Sequence, residues 1–236
     1  MPFLKEGMDV LDVGCGTGAI TRGIAERVRT GRIVGIDVSK DLVSQGKENH
    51  KDIRNLTLEV QDIFEYPPSE KFDLVTSSRT LQWLSNPEEA LIKMKELLKP
   101  GGMISILDYN HEKIEWSPAL PQSMQRFYTA FLDWRSDAGM NNRIADDLPS
   151  IFESLKLKNI LVADAGELSL KGDPDFYQNA SIWSKVAETR GQQMVQDHYI
   201  TEDERLQAIG DYNEWIVQRA FSMKLYLLQV SGYFEI

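Results

Sequence analysis

The chain is 236 residues long, 42% of them hydrophobic, with a formal net charge of −10 and a sequence pI near 4.9. That acidic balance argues against a nonspecific nucleic-acid binder, which has to neutralise phosphates, and no apolar run is long enough for a membrane span. Length and apolar content fit one soluble domain over residues 1–236 with a sizeable core. The N-terminus has neither a secretory h-region nor an arginine-rich transit character, so a cytoplasmic location is the default.

Residues 1–8 are too short for an element of their own. Residues 9–13 read as a short buried strand running into a turn with glycines at 14, 16 and 18. The helix after it has an apolar face, Ala19, Ile20, Ile24, Ala25 and Val28, repeating at about 3.6 residues up to Gly31. A second strand follows at 32–37, then a helix to Asn49 with Ser39 as its N-cap, and a third strand at 56–60. Pro67-Pro68 breaks the chain before a fourth strand at 72–77. Residues 78–84 form a short amphipathic turn, in which Leu81, Trp83 and Leu84 pack onto the sheet and Ser78, Arg79 and Gln82 are left as site candidates. A helix then starts at Asn86-Pro87 and runs to Leu98, and the fifth strand, 103–109, ends in Asp108-Tyr109-Asn110-His111. Helices are expected over 118–135 and 144–155, and a sixth strand over 158–163. Asp173-Pro174 opens a helical stretch to about Val195, and Thr201-Glu202-Asp203-Glu204 is a capping box for a helix reaching Arg219. Residues 222–231 alternate as a seventh strand.

Glycines at 14, 16 and 18 let the backbone turn tightly and bring free amides at the next helix start up to a ligand. Their spacing also satisfies the loose dinucleotide fingerprint Gly14-x-Gly16-x-x-Ala19, with Asp37 where the ribose acid belongs. Asp12 discriminates. A carboxylate two residues before the first glycine repels a pyrophosphate, whereas it attracts the sulfonium and ammonium of S-adenosylmethionine. Cys15 is the only cysteine, which excludes an intramolecular disulfide or a cysteine-based metal cluster; it reads as a small residue fitting a crowded loop rather than a reactive thiol. His50, His111 and His198 show no metal-ligand spacing, so no metal is expected.

With these residues in place the chain resembles the class I S-adenosylmethionine-dependent methyltransferases. The first motif is similar to Asp12-Val13-Gly14-Cys15-Gly16-Thr17-Gly18. Gly35-Ile36-Asp37-Val38-Ser39 resembles the strand end that holds the ribose hydroxyls, and Gln61-Asp62-Ile63 the one beside the adenine. Phe72-Asp73-Leu74-Val75 matches the fourth strand, and Leu98-Lys99-Pro100-Gly101-Gly102 the turn before the fifth. The likeness covers the first half of the chain well and the rest loosely. It implies a Rossmann-like three-layer α/β sandwich, strand order 3-2-1-4-5-7-6 with strand 7 antiparallel. The cofactor is S-adenosylmethionine, with S-adenosylhomocysteine as product, held by Asp12, Gly14, Cys15, Gly16, Gly18, Asp37, Val38, Asp62, Ile63 and Ser78. Family members usually carry helices before the first strand that close over the cofactor. Here residues 1–111 form the cofactor half, and the insertions at 112–143 and 171–220 are the helical pieces left to form a lid. Leu81-Gln82-Trp83-Leu84 is similar to the segment in trans-aconitate and malonyl-thioester carboxyl methyltransferases.

The expected function is therefore methyl transfer to a small-molecule acceptor such as a carboxylate or hydroxyl. No nucleic-acid or membrane partner is expected, and the protein should be a monomer or homodimer. Ser77-Ser78-Arg79-Thr80 lacks the Asn/Asp-Pro-Pro-Tyr/Phe pattern of nucleic-acid amino-group methylators. In-line transfer from a sulfonium requires alignment and exclusion of water more than a catalytic group, so none is assigned. Arg79 and Arg143, with Arg126 and Arg135 also considered, would place a carboxylate; Tyr109 or His111 would help remove a proton from a hydroxyl or amine. The alternatives are a non-catalytic cofactor-binding regulatory or scaffold subunit and an NAD-dependent oxidoreductase. Asp12 and the lack of a hydride-transfer constellation disfavour the second.

Overall fold

A computed structural model describes residues 3–235. In chain order its elements are β1 (Val10–Val13), α1 (Ala19–Arg27), β2 (Ile33–Asp37), α2 (Lys40–Asn49), β3 (Leu56–Val60), β4 (Phe72–Ser78), α3 (Pro87–Glu96), β5 (Leu98–Tyr109) and β6 (Glu115–Ser117). They continue as α4 (Gln122–Asp137), α5 (Ile144–Ser154), β7 (Lys158–Asp164), β8 (Glu167–Leu170), α6 (Phe176–Ala180), α7 (Ile182–Gln196), α8 (Glu202–Gln218), β9 (Ser222–Leu225) and β10 (Leu227–Tyr233). Of the stretch read as too short for an element, Met1 and Pro2 lie outside the described residues, and 3–8 are turn and coil.

The chain forms two compact units. One comprises the residues up to Asp108, Ile144–Asp164 and the residues from Leu228; the other comprises Tyr109–Arg143 and Ala165–Leu227. The first is built on a seven-stranded sheet in the order β3-β2-β1-β4-β5-β10-β7, with β10 antiparallel to β7. This is the expected order, with β7 as the sixth strand and β10 as the seventh. Leu11, Val13, Val34, Ile36, Val75, Ile104 and Ile106 fill its central strands, which are covered on both faces, as parallel strands usually are. Pro87 starts α3 at the position where a missing N–H costs nothing. β5 begins at Leu98 rather than 103, with a register shift against β4 between Phe72 and Leu74. At the opposite end from the glycine turn, Lys99 bridges Asp9 and Asp73 at 2.8 and 2.9 Å, tying the starts of three strands together.

Two expectations need correcting here. Ala19 and Ile20 are both exposed, Ile20 at 42%, because Thr21 takes the inner position in the first turn of α1 beside Ile24, Ala25 and Val28. The stretch 222–231 is two strands rather than one: β10 joins the large sheet, whereas β9 lies between β6 and β8 in a separate three-stranded sheet. Neither β6 nor β8 was expected, because three or four half-exposed residues carry too little periodicity to register.

The second unit packs α4, α7 and α8 with that small sheet. Its largest helix opens on the expected capping box: Thr201 Oγ1 accepts from the Glu204 amide (3.2 Å), while the Thr201 amide donates to Glu204 Oε2 (2.9 Å). Most of its aromatics are core: Trp116, Tyr128, Phe131 and Trp183 meet with ring centroids 4.8 to 6.2 Å apart. Among the described residues, no helix is long and apolar enough to cross a membrane.

Candidate functional site

β1 runs parallel to β2 on one side and to β4 on the other, with Val13 level with Ile36 and Ser77, so three strand ends meet the glycine turn. The turn is fastened from β2. The Gly14 and Cys15 amides both donate to the Ile36 carbonyl (2.8 and 3.0 Å), and the Gly16 amide donates to Asp37 Oδ2 (2.9 Å). Gly14, Gly16 and Gly18 all have φ in the left-handed region, at 74°, 55° and 75°. Their surroundings differ. A Cβ on Gly14 would lie 2.2 Å from Thr80 Oγ1 and one on Gly18 2.8 Å from Leu58 Cδ1, whereas one on Gly16 would meet nothing within 4 Å. Gly16 is thus where the backbone faces open space that a ligand can fill.

Asp12 is buried behind the turn, accepting a hydrogen bond from the Thr21 hydroxyl at 2.6 Å. Burial pushes its carboxyl up to about 6; the Thr21 bond opposes this and the Asp37 charge adds to it. Asp37 already serves the backbone on both oxygens, taking the Gly16 amide on Oδ2 and the Ser39 amide on Oδ1 (2.8 Å). It is a turn acid by this geometry, and each oxygen keeps a second lone pair for a ligand hydroxyl. Val38 beside it is exposed. Asp62 caps a single 3-10 turn, accepting from the Phe64 amide (3.0 Å), and Ile63 is buried.

At the end of β4 the Ser78 hydroxyl is buried with no hydrogen-bond partner among the described residues. Arg79 follows it with φ 59°, a strained conformation for a side-chain-bearing residue, held by its amide donating to the Leu107 carbonyl (2.7 Å). Gln82 is structural: its amide donates to Asp108 Oδ2 (3.2 Å) and its side chain to the Arg79 carbonyl (3.1 Å). The edge formed by β1 to β4 therefore combines three carboxylates, one open backbone face and a buried hydroxyl. Such an edge suits a cationic ligand bearing hydroxyls and opposes a phosphate.

Tyr109, His111 and Arg143 belong to the other unit. His111 lies 5.3 Å from the Tyr109 ring and 6.0 Å from both Phe131 and Trp183. Burial, helped by the Arg135 charge, lowers its pKa to about 3, so the imidazole stays neutral and is a weak base near neutral pH. Arg143 is half-exposed and 3.8 Å from Glu112. Arg135 is wholly buried and donates through Nε to Asn142 Oδ1 (2.7 Å); Arg126 is exposed on α4. The sequence reading did not single out Thr21, Thr80 or Ser77, whose hydroxyl donates to the Val13 carbonyl (2.8 Å). Nothing in a single sequence separates them from other small polar residues.

Cys15 is half-buried and its thiol is pushed from 9.0 up to about 12, by burial first and then by the charges of Asp12 and Asp37. The thiolate is therefore strongly disfavoured, and iodoacetamide at pH 8 should alkylate Cys15 at least about tenfold more slowly in the native protein than in urea, the greater nucleophilicity of a high-pKa thiolate offsetting part of the loss. Mass spectrometry showing equal rates in both would overturn this assignment.

A family model described as a methyltransferase domain matches residues 4–216. The chain is 34% identical over 100 residues to malonyl-[acyl-carrier protein] O-methyltransferase 2 of Ilyobacter polytropus, covering 42% of this chain and 39% of that protein. It is 30% identical over 178 residues to a demethylmenaquinone methyltransferase of Staphylococcus aureus, covering 67% of this chain and 71% of that one. It spans about two fifths of the length of the first curated relatives it matches. Among solved structures it is similar in fold to phosphoethanolamine N-methyltransferase 2 of Haemonchus contortus in complex with S-adenosyl-L-methionine (TM-score 0.59, 17% identity, 98% of this chain and 50% of that one). It is also similar to the YcgJ protein of Bacillus subtilis (TM-score 0.62, 16% identity, 99% and 94%).

Proposed function

The chain belongs to the methyltransferase-domain family, and from that premise we propose that it binds S-adenosylmethionine at the glycine turn and passes its methyl group to a small-molecule acceptor. The observation that carries this reading is the buried Asp12 carboxylate behind a turn whose Gly16 faces open space. A carboxylate in that place favours a cationic ligand and disfavours a pyrophosphate, which sets the NAD-dependent alternative aside. Titration calorimetry tests it: S-adenosylmethionine should bind and NAD should not, and tighter binding of NAD overturns the proposal. In the same experiment Asp37→Ala should cost about 1.5 to 3 kcal/mol of binding, the range for hydrogen bonds to a charged group, while the fold survives. An unchanged affinity would leave Asp37 as a turn acid alone.

When bound, S-adenosylmethionine supplies a methyl group already activated on a sulfonium. The chain's own residues have then to bind, orient and exclude water. Asp12 holds the positive end by charge, Gly16 lets the backbone approach, and Asp37 takes the ribose hydroxyls on its free lone pairs. Val38 and Ile63 supply apolar contact for the base next to Asp62, and Ser78 offers its hydroxyl.

We take the acceptor to bear a carboxylate or a hydroxyl. The Leu81-Gln82-Trp83-Leu84 segment and the relatives named for O-methylation of a malonyl thioester support the first, and Arg79 is the cation we assign to it. An anionic carboxylate needs no base, which agrees with the neutral, buried His111. The insertions at 112–143 and 171–220 are our choice for the segments that respond to the acceptor. Their amides should exchange more slowly once cofactor and acceptor are both present. If hydrogen exchange changes at the glycine turn and not in the insertions, the lid role is lost. We place the reaction in the cytoplasm, in keeping with the acidic chain and its single cysteine.

A further inference from the structure

Gly14, Cys15 and Gly16 are fastened to β2 through their amides, whereas Thr17, the next residue of the turn, is fastened to the far end of α2. Thr17 precedes Gly18, the N-cap of α1, so its carbonyl lies outside the helix ladder and needs a donor from elsewhere. His50, the C-cap of α2, supplies it: Nε2 donates to the Thr17 carbonyl at 3.0 Å across 33 residues of chain. The other ring nitrogen, Nδ1, is buried with no hydrogen-bond partner among the described residues. A hydrogen there would be an orphaned donor, so the hydrogen belongs on Nε2. α2 also lies close against the same carbonyl. A Cβ on Gly46 would stand 2.7 Å from the Thr17 carbonyl oxygen, and one on Gly18 would stand 3.2 Å from the His50 ring.

We propose that His50 is a positioning residue for the cofactor: by holding the Thr17 carbonyl it keeps the glycine turn in the form that leaves Gly16 open to the ligand. This rests on the reading of the turn as the S-adenosylmethionine site. The two ends of α2 hold adjacent residues of the turn. At its start Asp37 takes the Gly16 amide on Oδ2 and the Ser39 amide on Oδ1, and Ser39 caps the helix. At its end His50 holds Thr17. The peptide between Gly16 and Thr17 is thus tied on both sides. Glycine backbone loses the most freedom on ordering, and a turn ordered in advance loses less when a ligand arrives. Thr17 is only half-buried, so water can replace the donor in the fold, but water does not fix the turn. The orphaned Nδ1 is itself a cost to the fold, which an apolar residue at 50 would remove. Loss of the imidazole should therefore appear in binding rather than in folding.

His50→Leu should weaken S-adenosylmethionine binding about fivefold in titration calorimetry, the loss expected of one hydrogen bond, with the melting temperature nearly unchanged. His50→Gln carries an amide N–H close to where Nε2 stands and should restore most of the affinity. In the ligand-free proteins the Gly16 amide should exchange faster in His50→Leu than in wild type, and the glutamine variant should slow it again. Nitrogen-15 spectra of the wild type should show the His50 hydrogen on Nε2. If wild type binds S-adenosylmethionine and His50→Leu binds it equally well, this proposal falls while the cofactor reading stands. A wild type that binds none fails the cofactor reading itself and takes the proposal with it. A hydrogen on Nδ1, or a glutamine variant as weak as the leucine one, also overturns positioning through Thr17. Should His50→Leu not fold, the tautomer and the affinity of His50→Gln decide the matter by the same outcomes.

Discussion

Asp12→Asn is expected to weaken S-adenosylmethionine binding about thirtyfold at pH 7.5 while removing a pH-dependent burden on the fold. The side chain is buried beneath the glycine turn with the Thr21 hydroxyl as its one hydrogen-bonding partner among the described residues, so its charge is the expensive part. Its carboxyl pKa is raised from 3.8 to about 6, with burial as the main cause. The sign follows from proton counting. Between those values the folded protein keeps a proton that the unfolded chain has lost, so this group's contribution to stability falls as pH rises through the window and stays low above it. The interval corresponds to about 3 kcal/mol. Urea denaturation across pH should therefore show the stability of Asp12→Asn, relative to wild type, growing by about that amount from below pH 4 to above pH 7. Comparing slopes in this way cancels any fixed cost of the new amide. Binding should mirror it: wild-type affinity for S-adenosylmethionine should fall as pH drops through 6, and that of the variant should be flat. Parallel pH slopes for the two proteins would show that Asp12 is not the titrating group.

Gly14→Ala and Gly16→Ala should separate folding from binding within one turn. At Gly14 the new methyl group combines a left-handed backbone with a collision 2.2 Å from Thr80 Oγ1. Left-handed strain of about 1–2 kcal/mol and overpacking of about 1–3 kcal/mol together should lower the melting temperature by roughly 10 °C. Gly16 has the same backbone constraint at φ 55° but open space where the methyl group would go. Gly16→Ala should therefore cost the fold only the strain, about 1 kcal/mol, and lose at least about tenfold in cofactor affinity, because the methyl group stands in the space assigned to the ligand. Calorimetry and thermal melts on the pair check both halves. Full cofactor affinity in Gly16→Ala would place the ligand elsewhere along the turn.

The strand–glycine–helix opening and the capping box at Thr201 were determined by the sequence alone, since each is written in neighbouring residues: periodicity, turn glycines, a cap and its partner three positions on; the strand order came from the family resemblance those residues carry. The acids at 12, 37 and 62 could likewise be located near strand ends, Asp12 and Asp37 within or closing an apolar run and Asp62 two residues past the third strand. What those residues experience was not legible. The inequality of Gly14 and Gly16 depends on Thr80, whose hydroxyl sits 3.4 Å from the Gly14 carbonyl across 66 residues of chain. The raised pKa of Asp12 depends on complete burial by surrounding elements, and Thr21 displaces Ile20 from the inner face because it reaches that carboxylate. His111 looked like a base at a strand end, and only its enclosure by Phe131 and Trp183 and the nearby Arg135 charge make it a neutral core residue. The run 222–231 reads as one strand because alternation is local. It is divided between two sheets because its partners, β6 and β8 on one side and β7 on the other, are supplied by distant parts of the chain.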